Sequence, residues 1–239
     1  MSQNEATEER TNYVFDLSVF DGATTETNKV FLAGRLRGRF EYSYTSSITN
    51  ERYYKAIISV PRKSGTEDNV RVVVPEKLNN GNWKEFERGT CVKVIGTLRS
   101  RLERQGKDKK RLKVFVLSEK IESYPFEEAP YFNNCIYLEG TIHKQPFHKK
   151  TRSSQKRITE CFLSIVREGN KWDFITCITW GVGALKVSKL NVGDKIIVKG
   201  RLQSRMYFER DKENPTIGEK RETFEVSVFE LVNISKSEE

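Results

Sequence analysis

The chain of 239 residues is 36% hydrophobic and 31% charged, with a mean hydropathy of −0.63, so it is water-soluble and long enough for one or two cores. No run approaches the ~18–20 apolar residues of a spanning helix. The polar, acidic start MSQNEATEER is unlike a signal peptide, so the reading expects a cytoplasmic protein without a membrane partner. Cys91, Cys135, Cys161 and Cys177 lie far apart, with no C-x-x-C and only His143 and His148 to help, which argues against a metal or a redox pair.

In chain order, the first readable element is Tyr13-Val14-Phe15-Asp16-Leu17-Ser18-Val19-Phe20, a candidate extra strand within an arm over 1–27 whose start reads as disordered. A first unit follows over 28–124. A short, stiff linker containing Pro125 and Pro130 spans 125–132, a second unit spans 133–235, and 236–239 is a tail. Two stretches carry the net charge of +9. Arg99 to Arg111 has seven basic and two acidic residues, and His143 to Arg157 has six basic and no acidic residues. The remainder is slightly acidic. Two concentrated basic segments on such a body point to a polyanion held at defined places.

The two units repeat each other. Val30-Phe31-Leu32-Ala33-Gly34 recurs as Ile136-Tyr137-Leu138-Glu139-Gly140 at an offset of 106, and Ala56 to Arg62 recurs as Cys161 to Arg167 at an offset of 105. Gly89, Gly96, Leu98, Ser100 and Arg101 recur as Gly193, Gly200, Leu202, Ser204 and Arg205 at an offset of 104. A unit of domain size has been duplicated. Each copy reads as about five strands, rich in β-branched and aromatic residues. The second has a helix over Gly181 to Leu190 between strands three and four, and the first a weaker one over Glu76 to Arg88. With an interior glycine where strand one bends (Gly34, Gly140), this is the plan of an all-β protein of two tandem five-stranded OB-fold barrels, each with one short helix between strands three and four.

An OB fold binds its ligand across strands two and three, between the one-to-two and four-to-five loops. The basic stretches fall there, the first at the four-to-five loop of unit one and the second as the one-to-two loop of unit two. Period-two alternation on strand three of unit two puts Phe174, Thr176, Ile178 and Trp180 on one face and Ile175, Cys177 and Thr179 on the other. The small set is assigned to the interior. The aromatic set is assigned to the outer surface, where bases can stack.

At this point the second unit resembles the bacterial single-stranded DNA-binding proteins. The likeness rests on Asp173-Phe174-Ile175-Thr176-Cys177-Ile178-Thr179-Trp180-Gly181, on Leu190-x-x-Gly193-Asp194-x-Ile196-x-Val198-x-Gly200-Arg201-Leu202-Gln203-Ser204-Arg205-x-Tyr207 and on Glu225-Val226. The resemblance implies base-stacking roles for Phe174, Trp180 and Tyr207. The first unit is similar at Asn28 to Leu36 and Gly96 to Arg101, but it places Asn69, Arg71, Val73 and Pro75 where the aromatic face should be. That leaves Tyr42, Tyr44, Tyr53 and the basic stretch as its contacts. Family members commonly carry one OB domain, assemble four and end in an acidic-tipped tail; two domains here imply a homodimer, and no such tail is expected to recruit enzymes.

The expected ligand is single-stranded DNA, coated and protected during replication, recombination or repair. Phe147, Phe174, Trp180 and Tyr207 stack on bases, while Lys149, Lys150, Arg152, Lys156 and Arg157, with Arg101, Arg104, Lys107, Lys109 and Lys110, hold phosphates. Arg71, Arg167 and Arg205 join them from the strands, although Arg101 and Arg205 equally suit structural ion pairs. No catalytic constellation, cofactor site or small-molecule pocket is legible, so the chain reads as a binder rather than an enzyme. Two other readings stay open: an RNA-binding or primosome-type OB protein, and a scaffold whose first barrel contacts another protein.

Overall fold

The structure, a computed structural model, describes residues 17–20, 27–79, 82–105, 109–126, 133–151, 155–167, 169–210 and 218–235. Alternating β-branched residues build β1 (Asn28–Leu36), β2 (Glu41–Thr45), β3 (Arg52–Pro61), β4 (Glu67–Pro75), β5 (Cys91–Gln105) and β6 (Lys109–Ser123). The second unit contributes β7 (Asn134–Lys150), β8 (Arg157–Arg167), β9 (Lys171–Trp180), α1 (Gly181–Val187), β10 (Lys195–Arg210) and β11 (Gly218–Ser235). Strand pairing is antiparallel except for one closure in each unit, β4 with β6 at Val72↔Val116 and β9 with β11 at Val226↔Cys177. Each unit is therefore a closed barrel of OB type. Inward residues such as Leu32, Ile58, Val72 and Leu98 in the first, and Leu138, Leu163, Ile175 and Leu202 in the second, fill the interior.

Several local expectations change. Among the described residues the first unit has no α-helix between its third and fourth strands, only a 3-10 turn at Glu76–Leu78 that ends at Asn79. Its first strand is split into β1 and β2, where the second unit has one strand of 17 residues. The stretch from His143 to Arg157 is not a loop: β7 and β8 extend through most of it as a hairpin with register shifts, since paired strands satisfy the backbone that a loop would leave to water. Likewise Arg99 to Gln105 and Lys109 to Arg111 lie in the ladder of β5 and β6. The candidate N-terminal strand is a 3-10 turn over Leu17–Phe20, in which Phe20 is buried against Phe31, Ala33 and Cys135; residues 13–16 of that candidate lie outside the described residues. Of the two bend glycines, Gly34 has no room for a side chain, as a Cβ there would meet the Ser59 carbonyl at 2.3 Å. Gly140 is less confined, with Leu163 Cβ at 3.1 Å.

The barrels share one sheet. β1 and β7 pair antiparallel, and Val30 stands opposite its own repeat equivalent Ile136, so that pair marks a pseudo-two-fold axis relating the two units. A reciprocal polar clasp repeats on either side of it. From β5 of the first barrel, the Ser100 N–H donates to Asp173 on β9 of the second at 2.6 Å, and Arg99 (3.2 Å) and Arg167 (3.1 Å) pair with the same carboxylate. In the twin, the Ser204 N–H donates to Asp68 at 2.6 Å, Arg62 pairs with Asp68, and Arg62 also donates to the Ser204 carbonyl at 2.7 Å. Asp173 and Asp68 are 0% and 1% exposed. A carboxylate so far from water is tolerable only because charge-assisted donors from both barrels surround it, and that requirement fixes the angle between them.

Asp173→Ala leaves two guanidiniums and one backbone N–H facing an empty acceptor. It is expected to cost about 3 kcal/mol of unfolding free energy in a urea titration. Asp173→Asn, which keeps an acceptor for Ser100, costs less. A loss under about 0.5 kcal/mol for the alanine variant excludes the clasp as a fixing element.

Candidate nucleic-acid interface

On β9 the alternation holds for the interior: Ile175, Cys177 and Thr179 are all buried. On the opposite face Phe174 and Thr176 are half-buried and Trp180 is 43% exposed. Ile178 departs from that face, being 4% exposed, because it lies between Glu160 of β8 and Ser227 of the closing strand β11. The aromatic surface is thus interrupted. Trp180 stands about 20 Å along the strand from Phe174 at the usual rise per residue. It caps α1 and lines a groove of about 280 Å³ with Val182, Phe229 and Leu231.

Around Phe174 the sheet assembles a ladder of rings. Phe162 of β8 lies parallel to it, with centroids 5.6 Å apart and planes 6° from coplanar, and His143 of β7 packs on Phe174 at 4.8 Å. The Lys144 ammonium sits 5.1 Å over Phe162, holding a cation beside the rings. Phe147 is 59% exposed farther along β7, with the Lys149 ammonium 5.2 Å over its ring. A parallel, half-exposed pair with the Lys144 ammonium over Phe162 offers planar surfaces to a planar partner and positive charge to whatever anion is attached to it.

Phe162, His143 and Lys144 escaped the sequence reading. Phe162 holds the outward parity of Cys161-Phe162-Leu163 on strand two, beside the strand-three alternation that marks Phe174. His143 stands on β7 against the ring pair and not in a loop.

Tyr207 is half-buried on the long β10–β11 hairpin, opposite Arg221. That hairpin is tied to the first barrel where Glu209 pairs with Arg111 of β6. In the first barrel Tyr44 and Tyr53 stack on one another, centroids 4.7 Å apart and planes 9° from parallel, and Tyr42 is 55% exposed with its edge toward Tyr54. Burial, then Tyr53, lifts the Tyr44 phenol above its usual pKa, while Arg101, Arg167 and Arg99 pull it the other way. Tyr44 therefore feels three guanidiniums, of which Arg99 and Arg167 sit at the junction of the barrels on Asp173.

Lys149, Lys150, Lys156, Arg157, Arg101, Arg104 and Lys110 are exposed along the hairpins. Arg152 and Lys107 lie outside the described residues, and Lys109 is placed only by its backbone in β6. Four of the predicted cations already hold carboxylates: Arg101 and Arg71 share Glu103 at 2.6 and 3.0 Å, Arg167 pairs with Asp173, and Arg205 donates to Glu225 at 2.9 Å. Burial opposes ionisation of Glu103, but Arg101 and Arg71 outweigh it and hold the carboxyl below its usual range. Two of the four cysteines that the sequence keeps apart meet in the core. Cys161 stands opposite Cys177, and their hydrogen bond, with burial, pushes the Cys177 thiol up, so it stays protonated. No group of three or more His, Cys, Asp or Glu able to hold a metal occurs among the described residues, nor does any helix among them have the length and apolarity to cross a membrane.

Fold and site together define a tandem OB-fold protein whose second barrel presents a cation-flanked ring surface. The second barrel, residues 133–231, matches the model of the Single-strand binding protein family, and the match stops short of the first barrel. Among solved structures, the wild-type single-stranded DNA binding protein from Thermus aquaticus is similar at 21% identity and a TM-score of 0.67, over 89% of this chain and 95% of that one. A deletion mutant of the same Thermus protein gives a TM-score of 0.65 at 21% identity, over 89% of this chain and 95% of that one. The N-terminal domain of PriB protein from Thermoanaerobacter tencongensis matches 42% of this chain and 99% of its own at 30% identity, with a TM-score of 0.35. No curated protein matches the sequence.

Phe162→Ala and Phe174→Ala are each expected to weaken binding of an oligothymidine by about 5- to 150-fold, the equivalent of ~1–3 kcal/mol per lost stack, with unchanged thermal stability. Fluorescence anisotropy measures this; wild-type affinity in both variants removes the ladder from the site.

Proposed function

We propose that this protein binds single-stranded DNA without regard to sequence and coats it during replication, recombination or repair. The observation that supports this best is the ladder of His143, Phe162 and Phe174 beneath the Lys144 ammonium, on the sheet surface between two basic hairpins. Unpaired bases stack there at ~1–3 kcal/mol each whatever their identity, because every base has a π-face. Phe147, Trp180 and Tyr207 extend the stacking surface. Phosphates fall to the cations of the two hairpins, so affinity declines with salt at a log–log slope of about −0.7 per phosphate held.

Duplex is a poor ligand on this reading, since its bases are already stacked on one another. The chemistry required is binding alone, with no bond made or broken. A homodimer would bring four OB barrels together. The cytoplasm, where replicating DNA lies, is the compartment proposed.

The test is intrinsic tryptophan fluorescence titrated with a pyrimidine strand at low and high salt. Strong quenching that saturates stoichiometrically at low salt and weakens at high salt is expected, with most of the signal lost in Trp180→Ala. Competition with the matched RNA strand is expected to be weak. Absence of quenching together with absence of any mobility shift overturns the assignment.

A further inference from the structure

The two barrels carry different side chains at the same lattice points of one fold. At the repeat offsets of 105 and 106, Arg37 occupies the place of His143, Ile57 that of Phe162, Asn69 that of Phe174, Arg71 that of Thr176 and Lys55 that of Glu160. The ladder pairing agrees, because Ile57 stands opposite Arg71 on β3 and β4 as Phe162 stands opposite Thr176 on β8 and β9. Three rings thus correspond to a guanidinium, an aliphatic residue and an amide, and a carboxylate and a hydroxyl to cations. The result is an open groove of about 320 Å³ in which Arg37, Arg39, Lys55 and Arg71 surround Ile57, with Glu41 on its lip.

We propose that this groove is a second nucleic-acid subsite of different chemistry, which holds the sugar–phosphate chain of the strand and leaves its bases free. The proposal rests on the single-strand reading above and says what the first barrel adds to it. No ring lines the groove. The stacked pair of Tyr44 and Tyr53 is not part of its lining.

The cations are held by carboxylates that a phosphate can displace. Arg37 pairs with Glu67 at 3.4 Å, Arg39 with Glu87 at 3.0 Å and Lys55 with Glu41 at 3.8 Å, all with both partners well exposed. Exposed pairs of this kind are worth about 0–1 kcal/mol, so exchanging one for a phosphate oxygen and releasing the strand's counterions costs little. Arg71 is less exposed and shares Glu103 of β5 with Arg101.

The experiment uses the full chain and strands of about 30 nucleotides, the span of two OB barrels at roughly 4–16 nucleotides each. One strand is all thymidine, and two others are abasic in their 5′ or 3′ half. One half-abasic strand is expected to bind within about threefold of the intact strand and the other to lose at least about 100-fold, as several stacks at ~1–3 kcal/mol each disappear. In the Arg37→Gln/Lys55→Gln/Arg71→Gln variant the salt slope is expected to fall by about 2, three contacts at ~0.7 each, with the quench at saturation unchanged. Arg39→Gln, at the most exposed of the four cations, lowers the slope by about 0.7 and serves if the triple variant does not fold.

Equal losses with both half-abasic strands, or unchanged slopes in the variants, overturn the groove assignment while leaving single-strand binding intact. A wild-type chain that binds no strand at all overturns the functional reading itself.

Discussion

The geometry of the molecule depends on two buried carboxylates that each belong to one barrel and need donors from both. Asp173 and Asp68 have left water, and the donors that compensate them, the backbone N–H groups of Ser100 and Ser204, sit on hairpins that begin in the opposite unit. A hydrophobic contact would let the barrels slide or rotate by small amounts at little cost. A desolvated anion does not, because loss of one donor exposes an uncompensated charge. The shared β1–β7 ladder sets the distance between the units, and the carboxylates set their angle.

That constraint also reaches the ring surface. The Phe174 N–H donates to the Ser100 hydroxyl at 2.8 Å, and Ser100 in turn donates its N–H to Asp173, so the backbone beneath the ring is held by the first barrel. Arg99 and Arg167, which pair with the same carboxylate, are among the charges that Tyr44 feels. The ring ladder of the second barrel and the tyrosine stack of the first are therefore mounted on one rigid joint rather than on two independent domains.

Much of this was legible in the residues. The offsets near 105 gave the duplication, the apolar alternation gave the strands, and the parity of β9 separated Ile175 and Cys177 from Phe174 and Trp180. What escaped the sequence depended on neighbours that no single strand displays. Ile178 has outward parity and is buried because β11 closes against β9. Phe162 and His143 join the site only when β7, β8 and β9 lie side by side, and the basic stretches look like loops because their charges hide the strand period that pairing completes. The reciprocal use of Asp68 and Asp173 links residues whose meeting is fixed by tertiary structure alone.

The pseudo-two-fold axis through Val30 and Ile136 has one more consequence. A polymer laid across two units related in this way meets them in opposite senses, so two identical barrels could not tell its head from its tail. These barrels are not identical: one lattice carries His143, Phe162 and Phe174, the other Arg37, Ile57 and Asn69. Duplication within one chain has freed each half to diverge, and the joint surface has acquired a polarity that a symmetric pair of single-barrel subunits lacks.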